Sequence, residues 1–278
     1  MNFKLFNKER DKKILKWVAI GIIVVAAMII VKEEFLYQIG YYESNVEADE
    51  YTSNEGCNVT LINLHGFLDT DVYEDGDVSS RNITRLIENT ESDKNIKAIV
   101  LDIDSEGGYM VPAEEIMTAL KRATKPTVAL IRGIGLSSAY IAATGADAIF
   151  ASKYSDVGSI GVTMSYSDNS RKNQMEGLTY NQLSTGKFKD TLDPNKPLTY
   201  EEKQLLMRDL QIAHENFVKA VAENRGLDIE KVRAMADGST MPGEMALENG
   251  LIDHIGGLYE VEKYLEAEIG EPAVVCGE

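Results

Sequence analysis

Two adjacent serines and two nearly adjacent lysines are the residues whose type and setting could do chemistry. Ser137 and Ser138 lie in "GIGLSSAY", where an apolar run stops at glycines and an alanine-rich segment begins. A serine on such a strand-to-helix turn projects its hydroxyl for nucleophilic attack, but the hydroxyl is weak until a base takes its proton. A conventional triad needs a carboxylate and then a histidine further along the chain, and only His214 and His254 follow. The first sits in a regular amphipathic pattern and the second in "GLIDHIGG", settings typical of neither triad position. Lysine can act instead if its pKa falls from about 10.4 to about 7, which costs ~4 kcal/mol and calls for burial. "LSTGKFKDTLDP" offers Lys187 and Lys189, and on a strand both would face away from Phe188, on the same side. Taken alone, either lysine also reads as a solvated surface residue.

A second motif, "VLDIDSEGGYM", places Gly107 and Gly108 directly after a buried strand, Val100 to Ile103. Such a pair forms a turn, and it can also expose backbone N–H groups to a developing oxyanion. Asp102, Asp104, Glu106 and Gly107 imitate the start of a calcium loop, but Ala113 stands where the bidentate glutamate is needed. A dinucleotide loop fails on "GIGLSS", where Ser138 replaces the last glycine and the position is wrong for the first strand of a Rossmann unit. No metal or cofactor is expected.

The elements that must position these residues alternate along the chain. Strands are expected at Val59 to Leu64, Ala98 to Ile103, Thr127 to Ile131 and Ala148 to Ala151. Helices are expected at Ser80 to Asn89, Pro112 to Ala123 and Ser138 to Thr144. This rhythm argues for an α/β domain with parallel pairing. After Pro194, Leu205, Leu206, Leu210, Ala213, Phe217, Val218 and Val221 share one helical face. Thr199 with Glu202 forms a capping box before this helix, and Gly226 stops it. Shorter helices are expected at Asp228 to Ala236 and Leu258 to Glu268.

The formal charge of the 278-residue chain is -17. Residues 1–32 hold Lys4, Lys8, Arg10, Lys12, Lys13, Lys16 and Lys32 against Glu9 and Asp11, a net +5 that leaves -22 for the remainder. So acidic a body excludes nucleic acid as a partner, since phosphate binding depends on Lys and Arg. Trp17 to Val31 carry no charge and would extend about 22 Å as a helix. With Ile14 and Leu15 added and Lys16 and Lys32 snorkelling, residues 14–32 read as a membrane anchor in contact with lipid. No small-residue cleavage site follows. The basic segment 1–13 then stays cytoplasmic and the body lies outside, on a cell membrane crossed once. Residues 33–57 read as a linker and 58–278 as the extracytoplasmic domain. Cys57 and Cys276 flank that domain; a disulfide is possible if its ends meet, and two unplaced thiols is the default reading.

Five motifs in order resemble those of the SppA-type signal peptide peptidases from about Asn58 to Gly257: "DIDSEGG", "GLSSAY", "VGSIGV", "STGKFKD" and "MPGEMALENGLIDHIGG". The resemblance implies an α/β, ClpP/crotonase-like fold of ββα units with C-terminal helices, preceded by one transmembrane helix. It implies Ser137 as nucleophile and Lys189, directly before Asp190, as general base, with Ser159 orienting the lysine. The N–H groups of Gly108 and Ser138 become the oxyanion hole, with Gly107 shaping the turn. Ser138 and Ala139 stand where the family has two glycines, and Glu106 where it has a proline. Asp190 must turn away from the dyad, because a neighbouring carboxylate would hold the proton on Lys189. The family's activity implies cleavage of signal peptide remnants or other extended apolar peptides, and its ring or dome assemblies imply a homo-oligomer. Two alternatives share the fold: a membrane-anchored scaffold without hydrolysis, consistent with the altered glycines, and an acyl-thioester enzyme, which the anchor and the Ser-Lys pair disfavour.

Overall fold

The structure, a computed structural model, describes residues 56–276. The expected cytoplasmic segment 1–13, the span 14–32 and nearly all of the linker lie outside the described residues. Among the described residues no helix is long and apolar enough to cross a membrane.

Three long strands build the centre: β1 (Val59–Asp69), β3 (Ala98–Gly108) and β4 (Thr127–Leu136). All pair in parallel, in the order β2-β1-β3-β4-β5-β8, with β2 at Asp77–Ser79, β5 at Ala148–Ala151 and β8 at His254–Ile255. Residues Ala98 to Asp102 are buried without interruption because both faces of the sheet are covered. On one face Ile99, Leu101 and Ile103 pack with α1 (Ser80–Ser92), α2 (Met110–Arg122) and α3 (Ser138–Ala143). On the other, Val100, Val128 and Leu130 meet Val261 and Leu265 of the helix Leu258–Ile269.

Register shifts between His65 and Phe67 in β1 and between Ile103 and Ser105 in β3 split each long strand. Such irregularities bend a strand. In β4 the first half pairs with β5 and the last residues, Ile134 to Leu136, pair with β6 (Asp156–Gly158). Counting halves separately, the β-strand pairs and following helices read as the ββα units expected. The strands extend beyond the expected ends, to Asp69, Gly108 and Leu136, and these extensions carry the site.

The C-terminal part follows the expected helices. Thr199 and Glu202 form the capping box of α5 (Tyr200–Arg225), which follows α4 (Ser170–Met175), and Gly226 ends α5 in a left-handed conformation. Beyond it come α6 (Ile229–Met235), β7 (Thr240–Pro242), α7 (Gly243–Asn249) and, after β8, α8 (Leu258–Ile269). Strand β7 pairs antiparallel with β6, the one antiparallel pairing among the described strands.

The final strand, β9 (Val275–Cys276), runs parallel to β1, with Thr60 opposite Cys276. This brings Cys57 and Cys276 to a Cα separation of 5.3 Å, where they form a disulfide. The default reading of two unplaced thiols is therefore corrected. Their proximity is created by a two-residue strand 219 positions away, which leaves no local signal in the sequence.

Between β6 and α5, residues 161–199 form an arm whose regular structure is limited to α4. Met164, Tyr166, Met175, Leu178, Leu183 and Phe188 are all exposed on it. The segment "STGKFKD" does not form a strand. The segment folds as turns, with the Lys189 N–H donating to the Gly186 carbonyl at 3.1 Å. Gly186 and the lack of a neighbouring strand among the described residues let the chain close on itself locally.

Candidate active site

Strand β4 delivers its chain to Ser137, which holds φ 52° and ψ -125° at the N-cap of α3. Among the described residues only Ser159 and Leu192 are the other non-glycines with positive φ. Such strain, ~1–3 kcal/mol, persists only where the surroundings over-determine it. Three contacts do so. The Ser137 N–H donates to the Gly158 carbonyl at 2.8 Å, continuing the β4–β6 pairing in which Leu136 faces Gly158. Gly107, at φ 101°, lies so close that a Cβ there would stand 2.9 Å from Ser137 Cβ and 3.0 Å from the Ser138 nitrogen. Behind the serine all six residues of α3 are buried, and the Tyr140 hydroxyl donates to the Leu251 carbonyl at 2.7 Å. Burial pushes the Tyr140 phenol well above its ordinary range, so it stays a donor.

The Ser137 side chain makes no capping bond to α3, so its hydroxyl is not committed to the helix it precedes. Ser138 is the first residue of that helix, where a backbone N–H has no intrahelical acceptor. Its side chain is fully buried, and its hydroxyl has no hydrogen-bond partner among the described residues. Gly108 faces Leu68 across the β1–β3 pairing, and a Cβ there would be 2.1 Å from the Leu68 carbonyl oxygen. The preceding turn is held by Ser105, whose hydroxyl donates to Gly66 O at 2.6 Å and accepts from the Gly107 N–H at 3.0 Å. Ser159 follows Gly158 directly and donates its hydroxyl to the Gly238 carbonyl at 3.2 Å.

The sheet thus brings Gly107, Gly108, Ser137, Ser138 and Ser159 together at the ends of β3, β4 and β6. Lys189 stands apart in character. It is exposed on the arm, and its ammonium has no hydrogen-bond or ion-pair partner among the described residues. Asp190 faces other groups: its carboxylate accepts from the Tyr180 hydroxyl at 3.4 Å and lies 3.9 Å from Lys196 Nζ.

Sequence reasoning missed two polar groups. His65 Nε2 lies 3.0 Å from the buried Asp102 carboxylate, with Arg132 at 3.6 Å on its other oxygen. These residues come from three strands, so only the register unites them. The second is Lys196, whose Nζ donates to Glu202 at 2.5 Å. Glu202 was legible as half of a capping box, but its ion pair was not.

A parallel sheet, a strained serine heading a buried helix and a glycine pair at the neighbouring strand end define an α/β protein with a tight strand-to-helix serine turn. The chain belongs to peptidase family S49, which its residues 119–270 match. It is 34% identical over 200 residues to a protein of Methanocaldococcus jannaschii described as a protease, covering 70% of this chain and 64% of that one. It is 28% identical over 226 residues to a protein of Enterococcus faecium named as signal peptide peptidase SppA, covering 78% and 65%. The chain therefore spans just under two thirds of the length of these relatives. Among solved structures, a point-mutant form of the membrane-bound stomatin-specific protease 1510-N shares the fold with a TM-score of 0.52 at 15% identity, covering 74% of this chain and 84% of that one.

Proposed function

We propose that the protein is a serine endopeptidase in which Ser137 is the nucleophile and Lys189 the general base. The observation that carries this reading is the strained Ser137, held against Gly107 with its hydroxyl uncommitted. Neutral Lys189 takes the Ser137 proton as Oγ attacks a peptide carbonyl, and the N–H groups of Gly108 and Ser138 receive the oxyanion. The lysine ammonium then protonates the departing amine. Water attacks the acyl-enzyme with Lys189 again as base, releasing the acid and restoring Ser137. Ser159 orients the lysine, which requires its hydroxyl to turn from the Gly238 carbonyl.

Lysine is a base only when neutral, and burial is what makes it so. The exposed Lys189 and the apolar side chains of the arm support an assembly in which further copies of the chain cover the arm and desolvate the base. An extended apolar peptide adding to a strand edge is the mode of recognition this reading implies. The reading includes a membrane anchor at 14–32 and an extracytoplasmic domain 58–278. The Cys57–Cys276 disulfide supports that side of the membrane, because such bonds persist in oxidising compartments. Remnant signal peptides or other extended apolar peptides are the substrates suggested by the resemblance to the relative named signal peptide peptidase SppA.

The exposed position of Lys189 also favours a second reading, a scaffold that keeps the fold without hydrolysis. Hydrolysis of an apolar fluorogenic peptide by the full chain, beside Ser137→Ala and Lys189→Met, separates the two. The peptidase reading expects turnover that both substitutions reduce by ~10³-fold or more. Turnover that survives Ser137→Ala, or a fluorophosphonate label on Ser138, removes Ser137 as nucleophile, and an inert native chain supports the scaffold.

A further inference from the structure

We infer that Lys196 is a positioning residue that holds the Asp190 carboxylate away from Lys189 and so sets the pH at which the proposed base becomes neutral. The inference rests on the Ser137–Lys189 reading. A carboxylate next in sequence to a lysine base is a hazard, because an opposite charge within ~4–6 Å raises a lysine pKa by about 1–3. The arm contains a device that removes this hazard.

Asp190 is largely buried, with its side chain 13% exposed, and so is Lys196, at 17%. The Lys196 ammonium lies 3.9 Å from Asp190 Oδ2 and donates to Glu202 Oε1 at 2.5 Å. Tyr180 completes the cage, its hydroxyl 3.4 Å from Asp190 Oδ2 and 3.2 Å from Asp193 Oδ2. Asp193 is itself held by the Asn195 N–H at 2.8 Å. Glu202 is anchored by Thr199 through the capping box, with the N–H at 2.9 Å and the hydroxyl at 3.1 Å. Two carboxylates, Asp190 of the arm and Glu202 in the first turn of α5, therefore share one ammonium, and Tyr180 links Asp190 to Asp193. On the flank, Lys187 pairs at 3.8 Å with Glu201, and both of these are exposed. The hydrogen bond from Lys196 is the largest cause holding the Glu202 carboxyl down at about 2.

Removing Lys196 leaves Asp190 and Glu202 without their shared cation, with Asp190 one residue from Lys189. The nearest remaining ammonium for Asp190 along the chain is then the base itself. A role confined to anchoring the arm would lower activity at every pH alike. The positioning role displaces the acid limb of the kcat/KM profile, which reports the base.

The test is the pH dependence of kcat/KM for the full chain on the apolar peptide. Lys196→Met is expected to move the acid limb up by about one pH unit and to lower kcat/KM ~10-fold on that limb. Lys196→Arg is expected to keep the native limb, and Lys196→Met with Asp190→Asn to restore it. Asp190→Asn alone is expected to leave the limb in place or move it down, and gives a readout if Lys196→Met fails to fold. A uniform loss with an unmoved limb, a loss that Asp190→Asn does not restore, or an upward shift in Asp190→Asn alone overturns the inference. Full activity in Lys189→Met overturns the dyad reading and this inference with it. A dead Lys189→Met beside a limb indifferent to residues 190 and 196 overturns the inference alone.

Discussion

Gly107→Ala probes the site without touching a proposed reacting group. The substitution places a Cβ 2.8 Å from the Leu136 carbonyl oxygen, 2.9 Å from Ser137 Cβ and 3.0 Å from the Ser138 nitrogen, at φ 101°. Carbon pairs rest at about 3.5–4.0 Å, so Ser137 Cβ must retreat by roughly 0.6–1 Å, taking the nucleophile and the Ser138 N–H with it. Misplacement of about 1 Å costs ~10²-fold in rate, or ~2.7 kcal/mol of barrier. The positive φ adds ~1–3 kcal/mol of strain to the fold, a loss of about 2–10 °C in Tm for a domain of this size. We expect kcat/KM on the apolar peptide to fall ~10²-fold, chiefly in kcat, with slower fluorophosphonate labelling of Ser137. Gly270→Ala is the control, since it has φ 75° with nothing within 4 Å and caps α8 away from the site. It should lose stability and keep activity. Activity in Gly107→Ala within twofold of the native protein would refute the claim that Gly107 fixes the serine.

Two further outcomes concern stability. Replacing Cys57 and Cys276 with serine opens a loop of 219 residues and is expected to cost up to ~5 kcal/mol in the chain-entropy account, read as a Tm lower by roughly 10–20 °C and matched by adding reductant to the native chain. Glu202 is ionised in the folded protein down to about 2, against an ordinary 4.5. Its contribution to stability is complete above 4.5 and disappears as pH falls toward 2. Urea midpoints should therefore drop between pH 5 and pH 2.5 in the native chain and less in Glu202→Gln, which preserves the capping geometry; equal drops would count against the ion pair.

The sheet and its helices were legible because their signals are local. The apolar run "AIVLDI" marks β3, and Thr199, Glu202 and Gly226 mark both ends of α5. The serine turn was legible for the same reason, since small residues directly after an apolar strand mark a place where the chain can turn tightly and pack closely. Strands β2 and β6 to β9 were not, because two or three residues become a strand only by pairing with something remote. The arm carries a misleading pattern as well: Lys187, Phe188 and Lys189 alternate as a strand would, yet no neighbour among the described residues supplies the ladder and the chain turns instead. Ion pairs such as Lys196 with Glu202, and the trio His65, Asp102 and Arg132, depend on register and loop closure, which composition does not encode.

The bond between Cys57 and Cys276 has a consequence for the fate of the chain after a cut. Leu183 is fully exposed in a part of the arm without regular structure, and such exposed stretches are where proteolytic nicking concentrates. A cleavage there divides the domain into a piece holding Ser137 and Cys57 and a piece holding α5 and Cys276, and the disulfide still joins them. The severed halves remain one covalent molecule, and only reduction sets them free. Self-nicking in an oxidising compartment would thus leave a particle of unchanged mass under non-reducing conditions, with its serine turn still mounted on an intact sheet.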